Sequence, residues 1–248
     1  MRDVSAVKGK QVKAHLPRAT GAKLDNSQAA SASGSDEDTG TIRILDVGCG
    51  AGDSLREELE ARLTVRNDDT RLEMVGLDLD EESLAQGRVN FPQFVFVQGR
   101  GEELPFSDQR FDVVISRVAM CYMDIPVALR EMRRVLKVGG ELKLKLHPYT
   151  FTVAELRAEI KAGPLWRRVQ AITYRSYVLA NGVALHFGGS NFRFPLSRRH
   201  CESFQTREGM RRVLSAANFG RIDVSCWDTC IEWPHAGNCR VSAFRETI

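Results

Sequence analysis

A chain of 248 residues with 43% hydrophobic and 27% charged residues can bury one full core and has an ordinary globular composition. No apolar run approaches the roughly 18 residues needed to span a bilayer, the start MRDVSAVKGK lacks the apolar stretch of a secretory signal, and a formal charge of +3 does not argue for nucleic acid without a basic patch. Six cysteines at irregular spacing read as reduced thiols in a cytoplasmic protein.

In chain order, residues 1–40 read as a disordered N-terminal segment, because SQAASASGSDEDTG (Ser27–Gly40) buries too little apolar surface to offset chain entropy. Residues 41–248 read as one domain. Within it TIRILDVG predicts a strand, DSLREELEARL a helix, LEMVGLDL a strand and DEESLAQGRVN a helix. FVFVQG and FDVVISRV then predict two strands, IPVALREMRRVL a helix and ELKLKLH a strand. Strands separated by helices imply right-handed crossovers and a parallel sheet. Residues 150–203 exceed a plain crossover and predict a helical cap. After them TREGMRRVLSAANFG predicts a helix with Thr206 as N-cap, Glu208 in the first turn and Gly220 at its end. The strand pair IDVSCW and CRVSAFRE closes the sheet.

The stretch ILDVGCGAGDS (Ile44–Ser54) runs from an apolar strand into Gly48, Gly50 and Gly52. In an open α/β sheet ligands sit at the carboxyl ends of strands, and absent side chains let a ligand approach bare peptide groups there. The dinucleotide fingerprint GxGxxG fails, since its third glycine would be residue 53, which is Asp53, and a carboxylate beside a helix start suits a pyrophosphate poorly. A nicotinamide oxidoreductase is therefore the weakest reading. Together with Asp46, the turn resembles the DxGxGxG motif of class I S-adenosylmethionine-dependent methyltransferases, of the small-molecule, methyltransferase domain 11-like type. Asp78, at the end of MVGL, stands where that family places an acid gripping both ribose hydroxyls, a task that two carboxylate oxygens suit. GEELPFSDQRFDVVISRVAMCYMDIPVALREMRRVLKVGGELKLKL is similar to the family's later block, so the matching features run in order over residues 42–146. The resemblance implies a Rossmann-like, doubly wound, mostly parallel seven-stranded sheet with an antiparallel last strand and a cap after strand five. It also implies S-adenosyl-L-methionine as cofactor, with contacts at Asp46, Gly48, Cys49, Gly50, Gly52, Asp78, Leu79, Arg100, Gly101, Glu102 and Ser116.

One position departs from the pattern. Close relatives often read GDAEELPF, with an aspartate accepting the adenine amino group, whereas this chain reads GRGEELPF with Arg100 there. Arginine has donors only, so the adenine falls to backbone groups of residues 99–102, or to Glu102, or is held more weakly.

The resemblance implies methyl transfer by in-line displacement at a sulfonium, for which the protein aligns the reactants and excludes water. His147, directly after strand five, is the candidate base where the acceptor must lose a proton. A histidine that merely fixes the loop is the alternative. Arg117, Met120 and Tyr122 follow strand four as candidate pocket walls, although Met120 equally suits a core filler. Tyr149, Trp166, Tyr174 and Tyr177 offer an aromatic acceptor pocket whose cap is rich in arginine, which suits a flat or anionic small molecule. The competing view is a cap with apolar residues packed inward and arginines in solvent. The partner expected is a small-molecule substrate, without membrane. No RNA-binding module and no NPPY tetrapeptide occurs, which argues against nucleic acid. Cys226, Cys230, His235 and Cys239 match no standard zinc spacing, so no metal is assigned. The rival functions are a catalytically inactive cofactor-binding partner, a methyltransferase acting on RNA or protein, and an aminopropyl transferase, which the basic cap disfavours.

Overall fold

The computed structural model describes residues 40–65, 70–146, 157–158, 160–161, 164–192, 203–225 and 239–246. Its elements are β1 (Thr41–Val47), α1 (Asp53–Val65), β2 (Arg71–Asp78), α2 (Glu81–Asn90), β3 (Val95–Gln98), β4 (Phe111–Arg117), a 3-10 turn (Met120–Tyr122), α3 (Ile125–Val135), β5 (Leu136–Leu146), α4 (Leu165–Gly188), α5 (Arg207–Ala216), β6 (Phe219–Ser225) and β7 (Cys239–Arg245). The strands form one seven-stranded sheet in the order β3-β2-β1-β4-β5-β7-β6. Pairing is parallel from β3 through β5, and β7 runs antiparallel between β5 and β6. The expected Rossmann-like sheet with an antiparallel last strand is therefore present.

Side chains leave a strand on alternating faces, and both faces of this sheet are covered. β1 accordingly sends Ile44 into one core with Leu55, Met74, Leu84 and Phe96, and Leu45 and Val47 into a larger one with Leu129, Met132, Met210 and Leu214. Helix starts follow capping chemistry: Asp80 accepts from Ser83 N–H, Asp124 from Val127 N–H, and Thr206 from Gly209 N–H. The edge of the sheet opposite the strands' carboxyl ends is closed by charge. Arg43 and Arg110 both meet Glu73, at 3.1 and 3.3 Å, while Asp112 takes Lys137 at 2.7 Å and the Arg43 N–H at 2.9 Å.

Two boundaries differ from expectation. Gly220 does not end the last helix: α5 stops at Ala216, and Gly220 lies in β6. The turn is made by Asn218 at φ 58°, a left-handed conformation that asparagine tolerates, and a Cβ on Gly220 would collide with the Glu246 carboxylate. β5 begins at Leu136 rather than Glu141, with a register break as Phe111 pairs Leu136 and Val113 pairs Glu141. Gly139 at φ 78° takes up that break. The expected disordered segment lies outside the described residues except for Gly40, as do residues 150–156, 159, 162–163 and 193–202 of the 150–203 cap.

Candidate active site

Parallel register brings five strand ends to one edge, with Val47 beside Leu77, Asp78 beside Gln98, and Arg117 beside Lys145. The glycine turn leaves β1 there and is pinned by the Gly48 and Cys49 N–H groups donating to the Leu77 carbonyl at 2.7 and 3.1 Å. The three glycines have different reasons. A Cβ on Gly48 would strike Ala119, and one on Gly52 would come within 2.8 Å of the Phe96 ring, so both are demanded by packing. Gly50, at φ 53°, has no atom within 4 Å of where its side chain would be. The close approach of a ligand expected at all three glycines therefore has room at Gly50.

Asp46 lies behind this turn, fully buried, and among the described residues neither carboxylate oxygen has a hydrogen bond. Burial pushes its pKa up to about 7, with Asp78 and Glu58 adding to the rise, while the Ser54 hydroxyl and the Arg117 charge only partly offset it. Asp78 ends β2, accepting from Gly50 N–H at 2.8 Å through one oxygen and from Asp80 N–H at 3.0 Å through the other. Each oxygen keeps a second lone pair for a further donor. Leu79 follows, 55% exposed on the same rim. An orphaned carboxylate, an open glycine cradle and a carboxylate with acceptor capacity to spare fit a cationic ligand that also carries hydroxyls.

The remaining expected contacts divide by what the fold already asks of them. Cys49 points into the smaller core, where burial raises its thiol pKa, so only its backbone belongs to the turn. Ser116 is buried and donates to the Val47 carbonyl at 2.8 Å, locking β4 to β1. A Cβ on Gly101 would lie 2.6 Å from the Met123 sulfur, so Gly101 packs the rim closed. Glu102 accepts from Asp124 N–H at 3.1 Å, and its other oxygen is 3.8 Å from the Arg100 Nε. Arg100 is half-exposed.

Of the expected acceptor residues, Met120 is fully buried in the larger core. Arg117 is held by Glu57 of α1 at 2.5 Å. Tyr122 is 48% exposed at the rim and Trp166 62% exposed near the start of α4. Tyr177 is buried and donates to the Phe192 carbonyl at 2.7 Å, with Tyr174 beside it at 6.3 Å between ring centroids. His147 and Tyr149 lie outside the described residues, as do Cys226, Cys230 and His235. Among the described residues, no group of histidine, cysteine and acidic side chains could hold a metal ion.

Sequence reasoning missed two asparagines, one joining the cap to the site and one bracing the cap internally. Asn191 donates to the Met123 carbonyl at 2.7 Å and accepts from Ile125 N–H at 3.0 Å. Asn181 does the same for Phe192, accepting its N–H at 2.7 Å and donating to its carbonyl at 3.0 Å. Val118, a β-branched residue at φ 65° where the chain leaves β4, marks the same rim.

The strand order, the glycine turn after β1 and the acid ending β2 define a class I methyltransferase fold. Residues 45–144 match the family model described as a methyltransferase domain. The chain is 28% identical over 185 residues to a demethylmenaquinone methyltransferase of Chlorobaculum parvum, covering 73% of this chain and 67% of that one. It is 35% identical over 137 residues to a probable phthiotriol/phenolphthiotriol dimycocerosates methyltransferase of Mycobacterium ulcerans, covering 54% of this chain and 48% of the relative. The chain thus spans about half the length of that mycobacterial relative. A solved S-adenosylmethionine-dependent methyltransferase of Methanosarcina mazei shares the fold at TM-score 0.52 and 18% identity, over 84% of this chain and 94% of that one. Residues 45–144 are thus similar to the methyltransferase domain family, and the fold is that of class I methyltransferases, whose cofactor is S-adenosylmethionine.

Proposed function

We propose that the protein transfers a methyl group from S-adenosylmethionine to an apolar small-molecule acceptor. The observation that carries this reading is the buried Asp46 carboxylate, left without a hydrogen bond among the described residues, behind an open glycine turn and next to Asp78. When bound, the cofactor supplies a methyl group on a sulfonium, ready for in-line displacement. Asp46 offers negative charge to a cationic ligand in a dry setting where charge pairs are strong. Asp78 accepts from the ribose hydroxyls, and Gly50 admits the ligand against the backbone. Glu102 is engaged with Asp124 and Arg100, so the adenine edge falls to the backbone of residues 99–102. His147, one residue beyond the end of β5, is positioned by sequence to take a proton from a hydroxyl acceptor. The acceptor class is supported by the relatives, whose names give demethylmenaquinone and phthiotriol dimycocerosates as what they methylate.

The test is calorimetric titration with S-adenosylmethionine and S-adenosylhomocysteine, followed by transfer of labelled methyl to a panel of phenols, quinols and long-chain alcohols. Micromolar binding is expected, weakened at least ~10-fold in Asp78→Ala by loss of a charged acceptor, with turnover on one acceptor class and slower turnover in His147→Ala. Absence of binding refutes the assignment. Binding without turnover on any acceptor favours a cofactor-binding partner without catalysis, the reading that Arg100 supports.

A further inference from the structure

Along the edge of the sheet opposite the glycine turn, cations are matched by acids until α3 ends. Arg43 and Arg110 share Glu73, Lys137 meets Asp112, and Arg134 meets Glu131 and Asp108. The matching then stops. Arg130 and Arg133 stand three residues apart on α3, and so on one side of the helix. Arg245 ends β7 beside Phe219, the first residue of β6. These three arginines, with Arg134, Asp108 and Asn218, line a recess of about 340 Å³ between the ends of α3 and α5. Asp108 is the one acid lining it, and its carboxylate is taken by Arg134 at 2.8 Å.

The fold accounts for part of this positive charge. Arg245 Nη1 donates to the carbonyls of Arg133, Arg134 and Leu136 at 2.8, 3.0 and 2.6 Å, and Arg133 Nε donates to the Asn218 carbonyl at 3.0 Å. Those bonds close the end of α3 and the turn after α5. They engage one nitrogen of each guanidinium, whereas a guanidinium presents five N–H donors on three nitrogens. The Arg133 Nη atoms, Arg245 Nη2 and the whole Arg130 side chain have no partner among the described residues. Arg130 also lies before the last turn of α3, where Arg133 and Arg134 complement the helix dipole, so the dipole does not explain it. Burial and the charge of Arg133 hold the Arg245 guanidinium below its usual pKa, and Asp108 offsets them only in part.

Planar guanidinium forks pair bidentately with phosphate and carboxylate oxygens. At ~30 Å³ per water the recess has room for about ten, which suits a molecule with several oxyanion groups better than a single ion. We propose that it binds a small polyanion, a molecule carrying two or more phosphate or carboxylate groups, between Arg130 and Arg133 of α3 and Arg245 of β7. The recess lies at the amino ends of the parallel strands, about one strand length, roughly 20 Å, from the glycine turn at their carboxyl ends. A ligand there bridges α3 and β7, so it stabilises the fold by mass action and leaves the cofactor site untouched. The inference does not depend on the methyl-transfer reading.

The experiment is calorimetric titration of the full chain with pyrophosphate and with citrate at fixed ionic strength, for the wild type, Arg130→Gln and Arg130→Gln/Arg133→Gln. Arg130 has no polar partner to lose, and glutamine still offers the Asn218 carbonyl a donor, so both variants should keep the fold. The wild type is expected to bind at least one probe saturably, with a raised melting temperature and with affinity that falls as salt is added. Each guanidinium removed should weaken that binding about 10-fold, with S-adenosylmethionine affinity unchanged. Binding of pyrophosphate alone supports a phosphate ligand, and binding of citrate alone a carboxylate one. A wild type that binds neither probe at millimolar concentration overturns the proposal, as does binding that both variants retain in full. Displacement of the probe by S-adenosylmethionine also overturns it, because the anion would then sit at the glycine turn. Probe binding by a protein that fails to bind S-adenosylmethionine supports the recess and removes only the methyl-transfer reading.

Discussion

Asp46 is fully buried behind the glycine turn, without a hydrogen bond among the described residues, and burial therefore lets it hold its proton to about pH 7. The unfolded chain releases that proton from about pH 4 upward, so between these values the native state binds more protons and stability falls as pH rises. Above pH 7 the effect is complete. Between pH 5 and pH 8 this group alone takes on the order of 2–3 kcal/mol from the wild type. Asp46→Asn lacks that slope, so urea unfolding at the two pH values should show the variant gaining on the wild type by about that amount at pH 8. Parallel curves would show that Asp46 titrates normally. At pH 8, where Asp46 is ionised, the same variant should bind S-adenosylmethionine at least ~10-fold more weakly, because a neutral amide cannot pair with a cation. Asp46, Gly50 and Asp78 were legible in the sequence because carboxylates at strand ends and a glycine turn leave a pattern of residue types. Asn181 and Asn191 were not, since an amide's partners are set by where two distant segments meet. Val118 gave no signal either, as nothing in a valine announces a positive φ.

At the scale of elements, α1 is fastened to the sheet by charge as well as by Leu55. Glu58 receives Arg62 at 2.8 Å and Lys143 of β5 at 2.9 Å, while Glu57 receives Arg117. Burial alone would raise the Glu58 pKa, yet the hydrogen bonds and charges of Lys143 and Arg62 hold it below its ordinary value. A depressed carboxylate stabilises above its unfolded pKa of 4.5 and loses that contribution as pH falls through the lower folded value. Glu58→Gln should therefore cost ~1–2 kcal/mol at pH 7 by urea unfolding and progressively less as the pH drops below about 4. Equal losses at both pH values would make the effect one of shape. Helices and strands were legible here because buried parallel strands read as apolar runs between capped helices. The end of α5 was misplaced because asparagine and glycine both suit a left-handed turn, and here Asn218 makes it while Gly220 pairs within β6. The early start of β5 was hidden because Gly139 and Gly140 look like a turn, while the pairing of Leu136 with Phe111 keeps them within the strand.

At the scale of the whole molecule, Asn191 ties the cap to the rest of the fold through two hydrogen bonds with the backbone at Met123 and Ile125. Asn191→Ala leaves a buried N–H and a carbonyl unpaired, which should cost about 1–3 kcal/mol and lower Tm by several degrees. Because the loosened segment is the rim and not the glycine turn, the acceptor's KM should rise while cofactor affinity stays within about threefold. Equal losses in both would place Asn191 in general support of the fold. Strand order as a whole was legible from the alternation of elements, whereas the inward face of the cap helix was not, because it mixes Tyr177, Asn181 and Gly182 with Val178 and Leu185. The position of β7 has a further consequence for biosynthesis. β5 ends at Leu146 and the strand that covers its free edge starts at Cys239, roughly ninety residues later. As the ribosome delivers the chain, Leu142 and Leu144 wait on an uncapped ribbon, with Lys143 and Lys145 interleaved among them. β6, though made earlier than β7, has no neighbour to pair with until β7 slides in between. Late zippering of this kind slows folding and leaves a nascent chain that holdase chaperones can recognise. The alternating lysines act as gatekeepers that keep one unfinished chain from pairing with the next on a polysome.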